Sequence, residues 1–315
     1  MCQNSMAIII LCSHLCADDT VKPFAPAQWT KLTEMLTARK IEPFELLSFS
    51  SGDFKAKLDL SLFETQRITK LVERSGSIAL EIDKYANMGI KIMTRADAHY
   101  PRALLKKLGR TCPPILYYAG NPALAGSKCA GFVGSRSIGL SDEVFTAATV
   151  SKVNAKGFSV VSGGARGIDK VASDVSLANG CCSVEYVPAS LSSRVRPGTV
   201  ASAILDNRLL VLSAVKPDSE FLAGFAVMRN KYIYAQSEGT VIVKSDYGKG
   251  GTWNGAVANM NRQLCGTFCW NNPEYAGNLE LIRQGAIPID KSWDGDVERY
   301  KPVQPAPPEQ FSLFS

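Results

Sequence analysis

Beyond Pro113-Pro114 the chain repeats one order: a short apolar β-rich run, a glycine-bearing turn, then an amphipathic helical stretch. That order commits it to an α/β fold, because strands without a polar face must be covered on both sides and helices between successive strands make those strands parallel. The candidate strands are residues 115–118, 129–133, 158–162, 182–187, 209–213, 240–244 and 266–269. The clearest helix covers 168–179, where Ile168, Val171, Ala172 and Val175 share one face and Asn179-Gly180 supplies the stop. Another begins near Ser141, with Asp142 and Glu143 in its first turn and Lys152 and Lys156 near its end, as the helix dipole favours. The expectation is an extended Rossmann-like, mostly parallel sheet with helices on both faces over residues 113–290.

Upstream, residues 28–107 read as several short helices, with apolar groups around Trp29, Leu32 and Leu36 and around Leu60, Phe63, Ile68 and Leu71, interrupted by Pro43 and Gly52. Residues 89–93 are a brief strand-like run. A small helical domain is therefore expected over 1–112, with Pro113-Pro114 as its boundary. The apolar stretch 6–12 has no basic residue before it and is far shorter than the roughly 20 residues a bilayer span needs, so it reads as a core helix. After Asp290 come Pro302, Pro305, Pro307 and Pro308, and residues 291–315 are expected to form a mostly unstructured tail.

With 315 residues and 46% hydrophobic content the chain can bury a sizeable core, which excludes disorder as its main state. A net charge of +6 permits attraction to polyanions without requiring it. Nine cysteines show no repeating spacing, so the thiols fit a reducing cytoplasm better than a disulfide framework. Cys12 with Cys16, and Cys265 with Cys269, approach metal-ligand spacing, but neither is a CxxC pair and His14 and His99 are the only imidazoles. These thiols are expected to be buried and inert, and no metal or membrane partner is implied.

Four segments at strand-to-helix transitions concentrate the chemistry, and in open α/β sheets the carboxyl edge of the strands is where ligands bind. In residues 131–139 the turn offers Gly134, the Ser135 hydroxyl and the Arg136 guanidinium, a combination suited to a phosphate. The spacing is not that of a dinucleotide-binding fingerprint, so no cofactor is indicated. In residues 160–169, Ser162, Gly163, Gly164 and Arg166 precede a new helix and form a second anion site, while Asp169 also suits a structural role in the first helical turn. Arg229, Asn230 and Lys231 lie in a helical stretch, 221–236, with Tyr232 and Tyr234 beside them as possible base-stacking groups. The turn holding Lys249, Gly250, Gly251 and Thr252 can cradle an anion but lacks the order of a P-loop, so ATP hydrolysis is not supported.

Together these blocks carry a resemblance. Gly134-Ser135-Arg136, the run from Ser162 to Asp169, and Arg229-Asn230-Lys231 resemble, in order and separation, the distinctive blocks of the DprA/Smf family. The likeness continues through Gly250-Gly251-Thr252 to residues 281–286, and upstream through Tyr100-Pro101 and residues 113–120. It implies a non-enzymatic, single-stranded-DNA-binding protein of extended Rossmann fold, often a homodimer, that helps to load the RecA recombinase during uptake of transforming DNA. By position, Ser135, Arg136, Arg166, Arg229, Asn230 and Lys231 inherit the pocket for the DNA backbone.

The family's usual pattern is missing from residues 181–197, Phe225-Ala226-Val227-Met228 replaces its usual approach to the arginine-asparagine block, and no C-terminal winged-helix domain is expected. Two other readings share this core. One is a nucleotide or nucleic-acid sensor or antitoxin beside a toxin in a mobile-element defence module. The other is a phosphoribohydrolase of the LOG class, which Trp253-Asn254-Gly255 disfavours by offering no carboxylate after Thr252.

Overall fold

The computed structural model describes residues 2–16 and 21–300. The chain opens with helices α1 (Gln3–Cys12), α2 (Pro26–Ala38), α3 (Ser51–Leu58), α4 (Leu62–Glu73) and α5 (Ser75–Ala86). Residues 7–11 of α1 are buried, as expected of a core helix. The starts of α3 and α4 are written locally: Ser50 with Asp53, and Ser61 with Glu64, form reciprocal capping boxes that satisfy otherwise free backbone donors.

Then follow β1 (Lys91–Thr94), α6 (Arg102–Leu108), β2 (Ile115–Gly120), β3 (Cys129–Val133), α7 (Leu140–Ala155), β4 (Ser159–Ser162) and α8 (Ile168–Ala178). The chain continues through β5 (Ser183–Tyr186), α9 (Leu191–Arg194), α10 (Gly198–Leu205), β6 (Leu209–Ser213) and α11 (Ala223–Gln236). It ends with β7 (Ser237–Ile242), α12 (Gly250–Arg262), β8 (Gly266–Trp270), α13 (Ala276–Arg283) and β9 (Ile287–Ile289). Among the described residues the strands form one sheet in the order β1-β2-β6-β5-β4-β3-β7-β8-β9. From β6 to β9 all neighbours are parallel, whereas β1 pairs with β2, and β2 with β6, in antiparallel sense. The fold is thus the mostly parallel α/β sheet that the sequence implies.

Adjacent residues of one strand serve opposite layers, as the pleat requires. Ile242 faces a core shared with Tyr232, Ile233 and Tyr234 of α11, Ala256 of α12 and Leu281 of α13, while Val241 faces one shared with Phe145 and Val153 of α7 and Ala172 of α8. The amino-terminal helices bury Trp29, Leu36, Phe54 and Ile68 in a third core that includes Val187, Leu209 and Val211.

Two local outcomes differ from the sequence reading. β1 lies on the amino-terminal side of Pro113-Pro114 yet joins the sheet, because Ile92 and Met93 bury themselves across β2. Residues 291–300 are packed: Trp293 lies 5.3 Å from the Phe268 ring, and Val297 is fully buried. The tail expectation rested on prolines that all come later, and residues 301–315 lie outside the described residues. Cys12, Cys265 and Cys269 are buried, and Cys16 is partly buried. No helix among the described residues is long and apolar enough to cross a membrane.

Candidate functional site at the carboxyl edge of the sheet

Since β5, β4, β3 and β7 are parallel neighbours, the turns that follow them emerge side by side at one edge. The backbone locks three of these turns together. The Ser135 amide donates to the Lys244 carbonyl at 3.0 Å, and the Ile168 amide donates to the Ser135 carbonyl at 3.3 Å. Gly167 (φ +82°) allows this approach: a Cβ there would strike the Ser135 carbonyl and the Arg136 backbone.

Two ion pairs, each built on a buried acid, lie behind the turns. Arg229, 6% exposed, reaches from α11 so that its Nη1 sits 3.7 Å from Oδ2 of Asp169. The same carboxylate accepts the Gly163 amide at 3.1 Å. Burial pushes the Asp169 carboxyl up to about 6, although the Arg229 charge opposes the shift. Burial lowers Arg229 in turn. Its Nε is buried without a hydrogen-bond partner among the described residues.

The second pair joins Glu185, near the end of β5, to Arg194 of α9. Nε and Nη2 of Arg194 donate to Oε2 and Oε1 of Glu185 at 2.9 and 2.8 Å, and the Ser173 hydroxyl donates to Oε1 at 3.0 Å. Glu185 is buried. The sequence carried a signal for this pair: an acid in the middle of an apolar strand needs a buried partner. A third buried acid, Asp142, accepts bonds from the Tyr275 hydroxyl, the Gly139 amide and Lys244. Burial alone would raise its pKa, but these donors hold it below the ordinary carboxylate range.

The structure divides the sequence-predicted site residues into groups. Arg136 and Arg166 are exposed on turns whose backbones touch, and Lys249 is exposed as the N-cap of α12. No acidic partner pairs with any of these three among the described residues. The Arg136 guanidinium stands 5.8 Å from the ring of Phe221, an exposed aromatic just before α11. Gly134 and Ser135 form the floor of the first turn, where the Ser135 hydroxyl donates to the Ser137 carbonyl. Gly164 is partly buried on the second turn, and Gly250, Gly251 and Thr252 open α12.

Other members face inward or elsewhere. The Ser162 hydroxyl is buried and donates to the Asp169 carbonyl at 3.2 Å, and Gly163 is buried against Arg229. Asn230 donates to the Gly251 carbonyl at 3.0 Å, tying α11 to the start of α12. Lys231 donates to the Thr111 carbonyl at 3.3 Å, on a different side of α11 from Arg229. Successive helix residues point about 100° apart, so this three-residue block serves three surroundings rather than one pocket. Tyr232 and Tyr234 are core residues, 3% and 2% exposed, and are not available to stack on bases.

Comparison with known proteins agrees with this architecture. A search of curated proteins gives no match. Among solved structures, the DNA processing protein A (DprA) of Streptococcus pneumoniae superposes with a TM-score of 0.58 at 19% identity, covering 84% of this chain and 92% of that one. The DNA processing protein A of Helicobacter pylori, solved for its single-stranded DNA binding mode, superposes with a TM-score of 0.54 at 24% identity, covering 64% of this chain and 92% of that one. At these identities the likeness is one of fold. The family is shown by sequence: a profile described as DNA recombination-mediator protein A matches residues 91–296, from the first strand through the last and most of the way along the packed 291–300 segment, and the chain belongs to that family.

Proposed function

We propose that the chain binds single-stranded DNA across the carboxyl edge of its sheet, with Arg136, Arg166 and Lys249 contacting the sugar-phosphate backbone. The observation that carries this reading is the grouping of exposed cations without acidic partners on turns that hydrogen bonds hold together. Cations left unpaired on such a frame are available to displace counterions from a polyanion. Arg229 supports the frame from behind, its charge shared with Asp169 and near enough to Arg136 for the two positive charges to oppose each other. The H. pylori relative, studied for single-stranded DNA binding, supports the choice of strand.

The reaction class is binding rather than hydrolysis, since Thr252 is followed by Trp253 and Asn254 where a hydrolase would need a carboxylate. On the same reading the bound strand passes to a recombinase of the RecA class, and two copies of the chain act together in the cytoplasm. Fluorescence anisotropy of a labelled single-stranded oligonucleotide at two salt concentrations, with duplex of the same sequence as competitor, tests the binding step. Salt-sensitive binding that duplex fails to compete supports it, and absence of binding at low salt refutes it. Sedimentation with and without oligonucleotide tests the pairing of copies, and recombinase filament assembly on coated strand tests the transfer.

A further inference from the structure

An unpaired base stacks on an aromatic ring that is open to solvent beside a cation. Tyr232 and Tyr234 fail this condition because the core buries them. Tyr247 and Trp253 meet it. Tyr247 is 62% exposed two residues before Lys249, and Trp253 is partly exposed in the first turn of α12. Their ring centroids lie 5.3 Å apart at an interplanar angle of 75°, an edge-to-face pair. Such a pair covers at most one face of one ring, so aromatic surface stays open at this rim of the site.

The loop that carries Tyr247 is held at both ends. On its β7 side the Ser245 amide donates to Oδ1 of Asn278 at 2.9 Å, and Gly277 of α13 lies so close that a Cβ there would strike the Ser245 carbonyl and the Asp246 backbone. On its α12 side Asn230 holds the Gly251 carbonyl. Gly248 (φ +70°) and Gly250 (φ +84°) let the backbone turn between these anchors. Trp253 packs against the core that α11, α12 and α13 share. The Tyr247 ring therefore stands on a fixed support, and little ordering is left to do when a base settles on it.

Two residues span at most about 7 Å, so Lys249 and Tyr247 are within reach of a single nucleotide. The ammonium suits its phosphate and the ring suits its base. Asp246, exposed next to Tyr247, repels a second phosphate there but not an uncharged base. On the reading that the cationic turns bind single-stranded DNA, we propose that Tyr247, backed by Trp253, is a base-stacking platform that gives the site its preference for unpaired strand. Every base has a π-face, so the platform reads no sequence. In a duplex both faces of each internal base are already covered, whereas the phosphates remain open to Arg136, Arg166 and Lys249. The aromatic pair thus discriminates where the cations cannot.

The test is fluorescence anisotropy of the full chain with a labelled thymidine oligonucleotide, the same strand carrying abasic sites, and the corresponding duplex. Tyr247→Ala weakens binding of the thymidine strand about tenfold. Its affinity for the abasic strand and the duplex stays at the wild-type value, and so does the log–log salt slope, because no phosphate contact is lost. Tyr247→Phe keeps wild-type affinity for all three, since the ring and not the hydroxyl is used. Equal binding of the thymidine strand by wild type and Tyr247→Ala overturns the platform and leaves strand binding by the cationic turns intact. An equal loss on thymidine and abasic strands traces the effect to the Lys249 turn and overturns it as well. A wild-type chain that binds no oligonucleotide at low salt refutes the DNA reading itself, and the platform with it.

Discussion

Gly163 and Arg229 share one space: the guanidinium lies where a side chain at 163 would be, and the Gly163 amide and Arg229 Nη1 both approach Oδ2 of Asp169. Gly163→Ala must displace the arginine from its acid. Overpacking of this kind costs about 1–3 kcal/mol. A lower urea midpoint with an unchanged m-value is the expected result, together with weaker oligonucleotide binding because the turn carrying Arg166 shifts. Wild-type stability in the variant would show that the turn moves freely.

The division among the predicted cations is tested by salt dependence. Each phosphate contact on a single strand contributes a log–log slope of about 0.7. Arg136→Ala/Lys249→Ala should lower the slope by roughly 1.4. Lys231→Ala, whose side chain caps the Thr111 carbonyl instead, should leave the slope unchanged. The reverse pattern, measured by anisotropy between low and moderate salt, would move the strand to the other side of α11.

Asp169 makes stability depend on pH. Its ordinary value is 3.8, and burial raises it to about 6 in the fold, so folding takes up a proton between those values. Its contribution is complete below pH 3.8 and is lost as pH rises through about 6. Relative to Asp169→Asn, which cannot ionise, wild type should lose up to about 3 kcal/mol of stability between pH 4 and 6.5. Urea titrations of both proteins across that window check the sign; parallel curves would mean that the carboxyl titrates in the fold as it does in the unfolded chain.

For Glu185 and Arg194, the single and double substitutions should not add. Arg194→Met leaves a buried carboxylate with only the Ser173 hydroxyl, and breaking a buried pair in this way costs about 3–5 kcal/mol. Glu185→Met/Arg194→Met removes both charges and should be less damaging than Arg194→Met alone. Chemical denaturation of the four proteins of this cycle measures the coupling, and simple additivity would deny it.

Much of this fold is visible in the sequence because its signals are local. Periodic apolar spacing marks α8 at 168–178, and the glycine turns sit where β3, β4 and β7 hand over to helices. Arg136, Arg166 and Lys249 are legible for the same reason, since a turn exposes whatever it carries. What escapes the sequence depends on distant partners. Arg229 looks like a ligand group beside Asn230 and Lys231, but helical rotation turns it onto Asp169, sixty positions earlier. The Glu185–Arg194 pair lies where the family's usual pattern breaks down, so resemblance offered no guide to it. The antiparallel β1 and β2 gave no sign of their direction, because short apolar runs read alike in either sense.

The sheet order also carries a consequence for synthesis. β3 lies between β4, which follows it closely, and β7, made about a hundred residues later. A nascent chain can pair β3 with β4 early, but the α11 arginine must wait for residue 229, and the Ser135–Lys244 hydrogen bond for residue 244, to leave the ribosome. Until then an edge of β3 stays open to other strands. A growing chain thus links its first two turns early and its third late, so fragments released before that point expose the open edge of a central strand beside an incomplete site.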